Sequence, residues 1–212
     1  MDTGKSLQNY LDELSSSSPT PGGGNVSAFC AVLACSLGAM VCNLTIGKKK
    51  YKDFEPEIIN LRQKFEILKQ DFLEFAKEDN LSFNKVMDAF KLPKDTEDQI
   101  SIRKEVINKA TMEAALIPAE VIIKCKELLP LLERIAEIGN QNSLSDTGVA
   151  ISLVLTAAQG ACLNVTINCA GLLNQVTASE FLKKSEYTYE EIKEYSNLVI
   201  AGIFKKLKNQ GK

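Results

Sequence analysis

A chain of 212 residues, 45% hydrophobic and 25% charged, has the composition of an ordinary globular domain. Its net charge of −2 gives no reason to expect a nucleic-acid partner. Histidine is absent, which excludes Ser-His-Asp and Cys-His nucleophilic mechanisms, histidine proton shuttles and nearly all catalytic zinc sites. Acid–base chemistry is left to carboxylates, lysines, tyrosines or the substrate.

The six cysteines, Cys30, Cys35, Cys42, Cys125, Cys162 and Cys169, form no C-x-x-C pair, and most fall in apolar helical stretches. They are expected to be free core thiols. The polar first residues carry no secretory pattern. The protein is therefore expected in a reducing compartment, the cytoplasm.

In chain order, Ser6 predicts the cap of a short helix on which Leu7, Tyr10, Leu11 and Leu14 share a face. The run Ser15–Gly24, with Pro19, Pro21 and three glycines, predicts an irregular loop. From Leu14 to Gly47 no residue is charged, a length that would suit a membrane span. The stretch is rich in Ala, Cys, Ser and Gly and carries Asn25, Ser27, Ser36, Asn43 and Thr45, all costly in hydrocarbon. A ridge of small residues (Ser27, Ala31, Cys35, Gly38, Cys42) instead predicts a helix buried in a core or at a subunit contact.

Glu55-Pro56 opens a long amphipathic helix with its apolar face through Ile58, Leu61, Phe65, Leu68, Phe72, Phe75, Phe83, Val86 and Phe90. Leu92-Pro93 stops it. Thr96-x-x-Gln99 starts the next helix, which Pro118 and Pro130 are expected to bend and Gly139 to end. A second charge-free stretch, Thr147–Ser179, follows. A capping box at Thr188-x-x-Glu191 predicts the last helix. With no strand-like alternation and no separating linker, residues 1–212 read as one all-α domain, a helical bundle with long kinked helices.

Five groups of residues carry candidate chemistry. Asp79 lies on the apolar stripe of the long helix, so its carboxylate must be paired, hydrogen-bonded or raised in pKa; it serves either as acid–base group or as a cap or ion-pair partner for a neighbouring helix. The loop Gly22–Gly24 with Asn25 feeds a helix N-terminus whose free N–H groups suit an anion or a carbonyl oxygen, or else is a tight turn. Asp146 stands where an N-cap belongs. Asn164 and Asn168 place amides on an apolar face, for inter-helix bonding or for a heteroaromatic ligand. The run Lys48–Lys52 is a solvated helix end or an anion-binding patch.

Together these residues resemble a known family. Pro19-Thr20-Pro21-Gly22-Gly23-Gly24, the alanine-rich helix ending Asn43-Leu44-Thr45-Ile46-Gly47-Lys48-Lys49-Lys50-Tyr51, Glu78-Asp79 with Phe83-Asn84, and Ile117-Pro118 are similar to the cyclodeaminase/cyclohydrolase family. So are Gly139-Asn140, Ser145-Asp146-x-Gly148-Val149-Ala150 and Gly160-Ala161-x-x-Asn164-Val165-x-Ile167-Asn168, in the same order along nearly the whole chain. The family includes the cyclodeaminase domain of formiminotransferase-cyclodeaminase and stand-alone methenyltetrahydrofolate cyclohydrolases.

The resemblance implies an all-helical homodimer acting on one-carbon units of tetrahydrofolate, without metal, redox cofactor or histidine, and with no membrane or nucleic-acid partner. It implies either ring closure of 5-formimino-tetrahydrofolate with loss of ammonia, or hydration of 5,10-methenyl-tetrahydrofolate to 10-formyl-tetrahydrofolate. No formiminotransferase domain accompanies the chain, which tilts the expectation towards the hydrolase. On this basis Asp79 is expected as general acid/base and Asp146 as a contact to the pterin or a shuttling water. Gly22, Gly23, Gly24 and Asn25 are expected to bind substrate through main-chain N–H groups, Asn164 and Asn168 to line the pocket, and Lys48 and Lys50 to attract the glutamate tail. The alternatives are a non-catalytic helical folate-binding or scaffold protein and a small membrane protein.

Overall fold

The computed structural model describes residues 6–210. Six helices follow one another: α1 (Leu7–Leu14), α2 (Gly23–Asn43), α3 (Glu55–Phe90), α4 (Glu97–Ile138), α5 (Leu144–Ala170) and α6 (Gln175–Gln210). Short 3₁₀ turns, Lys49–Phe54 and Gln141–Ser143, lead into α3 and α5. Among the described residues there is no strand.

The predicted starts of α1 and α4 are in place. The Ser6 hydroxyl accepts the Asn9 N–H at 3.2 Å and the Thr96 hydroxyl accepts that of Gln99 at 3.3 Å. Helix α2 begins earlier than the loop expectation, with Gly22 as its N-cap and Gly23 and Gly24 as its first residues.

Helix α2 is the axis of the bundle, packed against α3, α4 and α5. The ridge of small residues makes this possible. Ser27, Ala31, Cys35, Gly38 and Cys42 are all buried inside the chain, so the ridge serves internal packing rather than a subunit contact. A Cβ on Gly38 would lie 2.8 Å from the ring of Phe65, which with Ile58, Leu61, Leu68 and Phe72 forms the buried face of α3. Burial holds the α2 thiols in their neutral form, pushing Cys35 up to about 12.

The contacts also set direction. Gly24 meets Asp79 and Gly38 meets Phe65, so α3 runs antiparallel to α2; Gly23 lies beside Asn164 and Gly160 against Ser27, so α5 does too. Both α2 and the segment Gln141–Ala170 are long and apolar enough to cross a bilayer. Helix α2 is nevertheless enclosed by protein over 61% of its most apolar window, the state of a core helix.

Helix α4 runs through both Pro118 and Pro130 without a break. Proline lacks an N–H, so Pro118 leaves the carbonyl of Ala114 without its helical donor. Asn168 of α5 supplies the missing bond, its Nδ2 donating to that carbonyl at 3.1 Å.

Two expected helix starts move. The 3₁₀ turn Gln141–Ser143 runs straight into α5, so the N-cap position is Ser143 and Asp146 lies inside the first turn. Helix α6 begins at Gln175, where the Asn174 side chain accepts the Thr177 N–H at 3.2 Å. Thr188 is mid-helix, its hydroxyl bonded back to the Lys184 carbonyl at 3.0 Å.

Candidate active site

The N-terminus of α2, the C-terminal third of α3, Ala114 of α4 and the end of α5 converge on one cavity of about 250 Å³. Pro19, Thr20 and Gly22–Gly24 form one wall, Asp79, Ser82, Phe83 and Val86 of α3 another, and Ala114, Asn164, Ile167 and Asn168 close it. None of these lining residues is basic.

Glycine is required here for space rather than for backbone angle. A Cβ on Gly24 would come within 2.1 Å of Asp79 Oδ1, closer than any real contact, so only a bare backbone lets the carboxyl lie against the first turn of α2. Asp79 is half-buried. Burial pushes its carboxyl above the usual carboxylate range, and a hydrogen bond from the Asn25 N–H partly offsets this. The Ser82 hydroxyl donates to the Asp79 carbonyl at 3.0 Å, tying down the same turn of α3.

Asn25 is wholly buried. Its side chain accepts from the Tyr10 hydroxyl at 2.8 Å and donates to the Ala76 carbonyl at 2.5 Å. That places the side chain in the packing of α1, α2 and α3, and leaves only its main-chain N–H at the site. Asn164 lies beside Gly23 with its Nδ2 donating to the Gly160 carbonyl at 2.8 Å. Asn168 faces the cavity while mending the gap at Pro118.

The structure thus brings Gly22, Gly23, Gly24, Asn25, Asp79, Asn164 and Asn168 together. It does not bring Lys48, Lys50 or Asp146 to them within one chain. Lys48 and Lys50 follow the other end of α2, about 30 Å away at 1.5 Å per residue. Asp146 is near that same far end, in the first turn of α5. There the Asn140 N–H donates to Thr45 Oγ1 at 2.9 Å and the Gln141 N–H to the Tyr51 hydroxyl at 3.2 Å. Ser82 and Ala114 are cavity residues that the sequence does not single out, and Ile167 enters only within the family motif. Ser82 had a usable signal, since at three positions after Asp79 it shares that helix face.

Chemically, a carboxyl with a raised pKa, in a cleft walled by Phe83, Val86 and Ile167, can take a proton from one reacting group and return it to another. The flanking amides of Asn164 and Asn168 suit the edge of a heteroaromatic ring.

Residues 6–187 match the family described as formiminotransferase-cyclodeaminase. The chain is 38% identical to a methenyltetrahydrofolate cyclohydrolase of Methylorubrum extorquens over 86% of its length and 88% of that protein's. It is 27% identical to the mouse formimidoyltransferase-cyclodeaminase over 93% of its own length but only 37% of the relative's. A crystal structure of formiminotetrahydrofolate cyclodeaminase from Thermotoga maritima superposes with a TM-score of 0.78 at 33% identity, covering 94% of this chain and 98% of the other. This all-helical chain, with its acidic cavity at the glycine end of α2, is a folate enzyme of the cyclohydrolase/cyclodeaminase type and belongs to the formiminotransferase-cyclodeaminase family.

Proposed function

We propose that the chain is a methenyltetrahydrofolate cyclohydrolase with Asp79 as its general acid/base, working as a homodimer in the cytoplasm. The observation that carries this is the Asp79 carboxyl, half-buried and held against the bare backbone of Gly24 at the head of α2. As the carboxylate it removes a proton from water as the oxygen adds to the methenyl carbon. The protonated carboxyl then returns that proton to N5 as the carbon–N5 bond breaks, and the remaining hydroxyl proton passes to solvent as the carbonyl forms, leaving 10-formyl-tetrahydrofolate. Free N–H groups at the first turn of α2 stabilise the oxygen as it gains negative charge. The pterin lies between the apolar wall and the amides of Asn164 and Asn168.

The hydrolase is favoured by the 38% identity to a cyclohydrolase matched over most of both chains. The 33% identity to the Thermotoga cyclodeaminase supports a second reaction on the same frame. There N10 attacks the formimino carbon and gives its proton to the Asp79 carboxylate, which returns it to the amine as the carbon–nitrogen bond breaks and ammonia leaves. The same group serves both, because each reaction passes through a tetrahedral carbon between N5 and N10.

Purified protein mixed with 5,10-methenyl-tetrahydrofolate is expected to abolish the methenyl absorbance. With 5-formimino-tetrahydrofolate, the absorbance would instead appear together with ammonia. Folate binding without either change would make the chain a binding protein and reject the enzyme.

A further inference from the structure

We propose that Tyr10, a residue of α1 outside the cavity, is a positioning residue for the reaction: it holds the Asn25 amide in the one orientation that fixes the Asp79 carboxyl against the first turn of α2. This deepens the acid–base role proposed above for Asp79 and rests on it.

Helix α2 opens without a capping side chain, because its N-cap is Gly22. The Asp79 carboxyl takes that place from α3 by accepting the Asn25 N–H. Asn25 holds α3 a second time through its side chain, whose Nδ2 donates to the Ala76 carbonyl at 2.5 Å. Ala76 and Asp79 are three positions apart and share a helix face. One residue of α2 therefore grips α3 at two points a turn apart, which sets the register of the two helices at the carboxyl. Gly24 leaves no slack beside it, since a Cβ there would already overlap Asp79 Oδ1.

The orientation of the Asn25 amide follows from its partners. A carbonyl can only accept, so Nδ2 must face Ala76 and Oδ1 must face away from it, towards α1. The donor waiting there is the Tyr10 hydroxyl, at 2.8 Å. Asn25 is 0% exposed, so solvent cannot replace that donor. Tyr10 is itself the buried residue of α1, while Leu7 and Leu11 on the same helix stay exposed. Its ring packs on Phe29 with centroids 5.5 Å apart. Burial raises its hydroxyl above the ordinary 10.0, which keeps it protonated and able to donate. Without that hydroxyl, Oδ1 is buried and unpaired, and the amide finds a new partner only by turning away from Ala76.

No second ionisable side chain lines the cavity. Helix α2 meets Asp79 with main-chain groups, and α4 and α5 bring Ala114, Ile167 and the amides of Asn164 and Asn168. On its own helix, Glu78 and Lys85 line the neighbouring hollow instead, with Glu113 of α4. The Asn25 N–H is the specific bond that favours the carboxylate against burial, and Tyr10 holds the residue that makes it.

The test is Tyr10→Phe, which removes one oxygen and keeps the ring. Hydrolysis of 5,10-methenyl-tetrahydrofolate is followed against pH, and the Asp79 carboxyl is titrated by carbon-13 NMR. With KM within about twofold of wild type, kcat is expected to fall about tenfold, and the acid limb and the carboxyl titration both move to higher pH as the bond to the carboxylate loosens. Asn25→Ala is expected to do the same, and the double variant to be no worse than Asn25→Ala, since both changes remove one linkage. Phe29→Leu is the packing control, expected to lower Tm while leaving the pH profile in place. A Tyr10→Phe protein that loses stability but keeps the wild-type limb and titration overturns the proposal. So do additive effects of the Tyr10 and Asn25 changes, or an equal shift in Phe29→Leu. Normal turnover by Asp79→Asn rejects the acid–base role and this inference with it, a failure distinct from an Asp79-dependent enzyme that is indifferent to Tyr10.

Discussion

The two ends of the α2/α5 pair are built on opposite principles. At the lysine end, polar groups are consumed by the fold: Thr45 Oγ1 receives the Asn140 N–H, Tyr51 receives the Gln141 N–H, and the Gly47 N–H goes to Glu55 at 2.9 Å. At the glycine end, a carboxyl, two amides and a helix N-terminus surround an open cavity. One end closes the bundle and the other leaves polar groups facing space. A polar residue near a helix terminus therefore signals a site where, beyond its bond within the bundle, it still faces open space.

The sharpest way to break this contrast is Asp79→Asn, which keeps shape and removes the proton shuttle. Turnover is expected to fall by about 10²–10⁴-fold while substrate binding persists, measured as kcat beside a binding titration. The same change should stabilise the protein. Burial raises the Asp79 carboxyl above its ordinary 3.8, so the folded state holds the proton more tightly than the unfolded one. The stability cost is thus fully present at neutral pH and is relieved as the pH falls through the raised value towards 3.8. Removing that cost at neutral pH is expected to raise Tm, with the pH dependence of stability flattened in the variant. A lowered Tm would mean that Asp79 is a structural ion.

Next in size is Gly24→Ala. Its Cβ would lie 2.1 Å from Asp79 Oδ1, so the carboxyl must move, and kcat/KM is expected to fall about 100-fold. At the opposite end, Thr45→Val leaves the Asn140 N–H unpaired and should cost about 1–3 kcal/mol in urea unfolding. Its kcat should stay unchanged; a selective loss of kcat there would erase the distinction between the two ends. The smallest effect is expected from Asn168→Ala. It leaves the Ala114 carbonyl without a donor, costs about 1 kcal/mol, and raises KM through the lost amide.

Much of the bundle was legible in the sequence because its signals are local. Ser6 and Thr96 cap helices, Pro56 opens one, and the α3 stripe from Ile58 to Phe72 faces the core. Two starts were misread where local signals competed. Thr188 looks like a cap, but Asn174 begins the helix and the Thr188 hydroxyl turns back on its own helix. Asp146 looks like a cap because the preceding 3₁₀ turn has no signature separating it from a loop. The site was only half legible. Helical period identified the face of Asp79 and Asn164, yet no period reports that Lys48 and Asp146 lie a helix length away. The structural duty of the Asn25 side chain was equally hidden, since Tyr10 and Ala76 reach it only through folding.

The bare backbone at Gly23 and Gly24 has a consequence for how such an enzyme changes its chemistry over generations. A floor made of main-chain atoms offers no side chain to exchange, and any replacement at Gly24 collides with the one carboxyl in the cavity. Substitutions that discriminate a departing amine from an incoming water are therefore expected on the opposite walls, at Ser82, Asn164 and Ile167. The floor is sterically fixed at Gly24, and the walls are where substitution can alter the cavity without displacing the carboxyl.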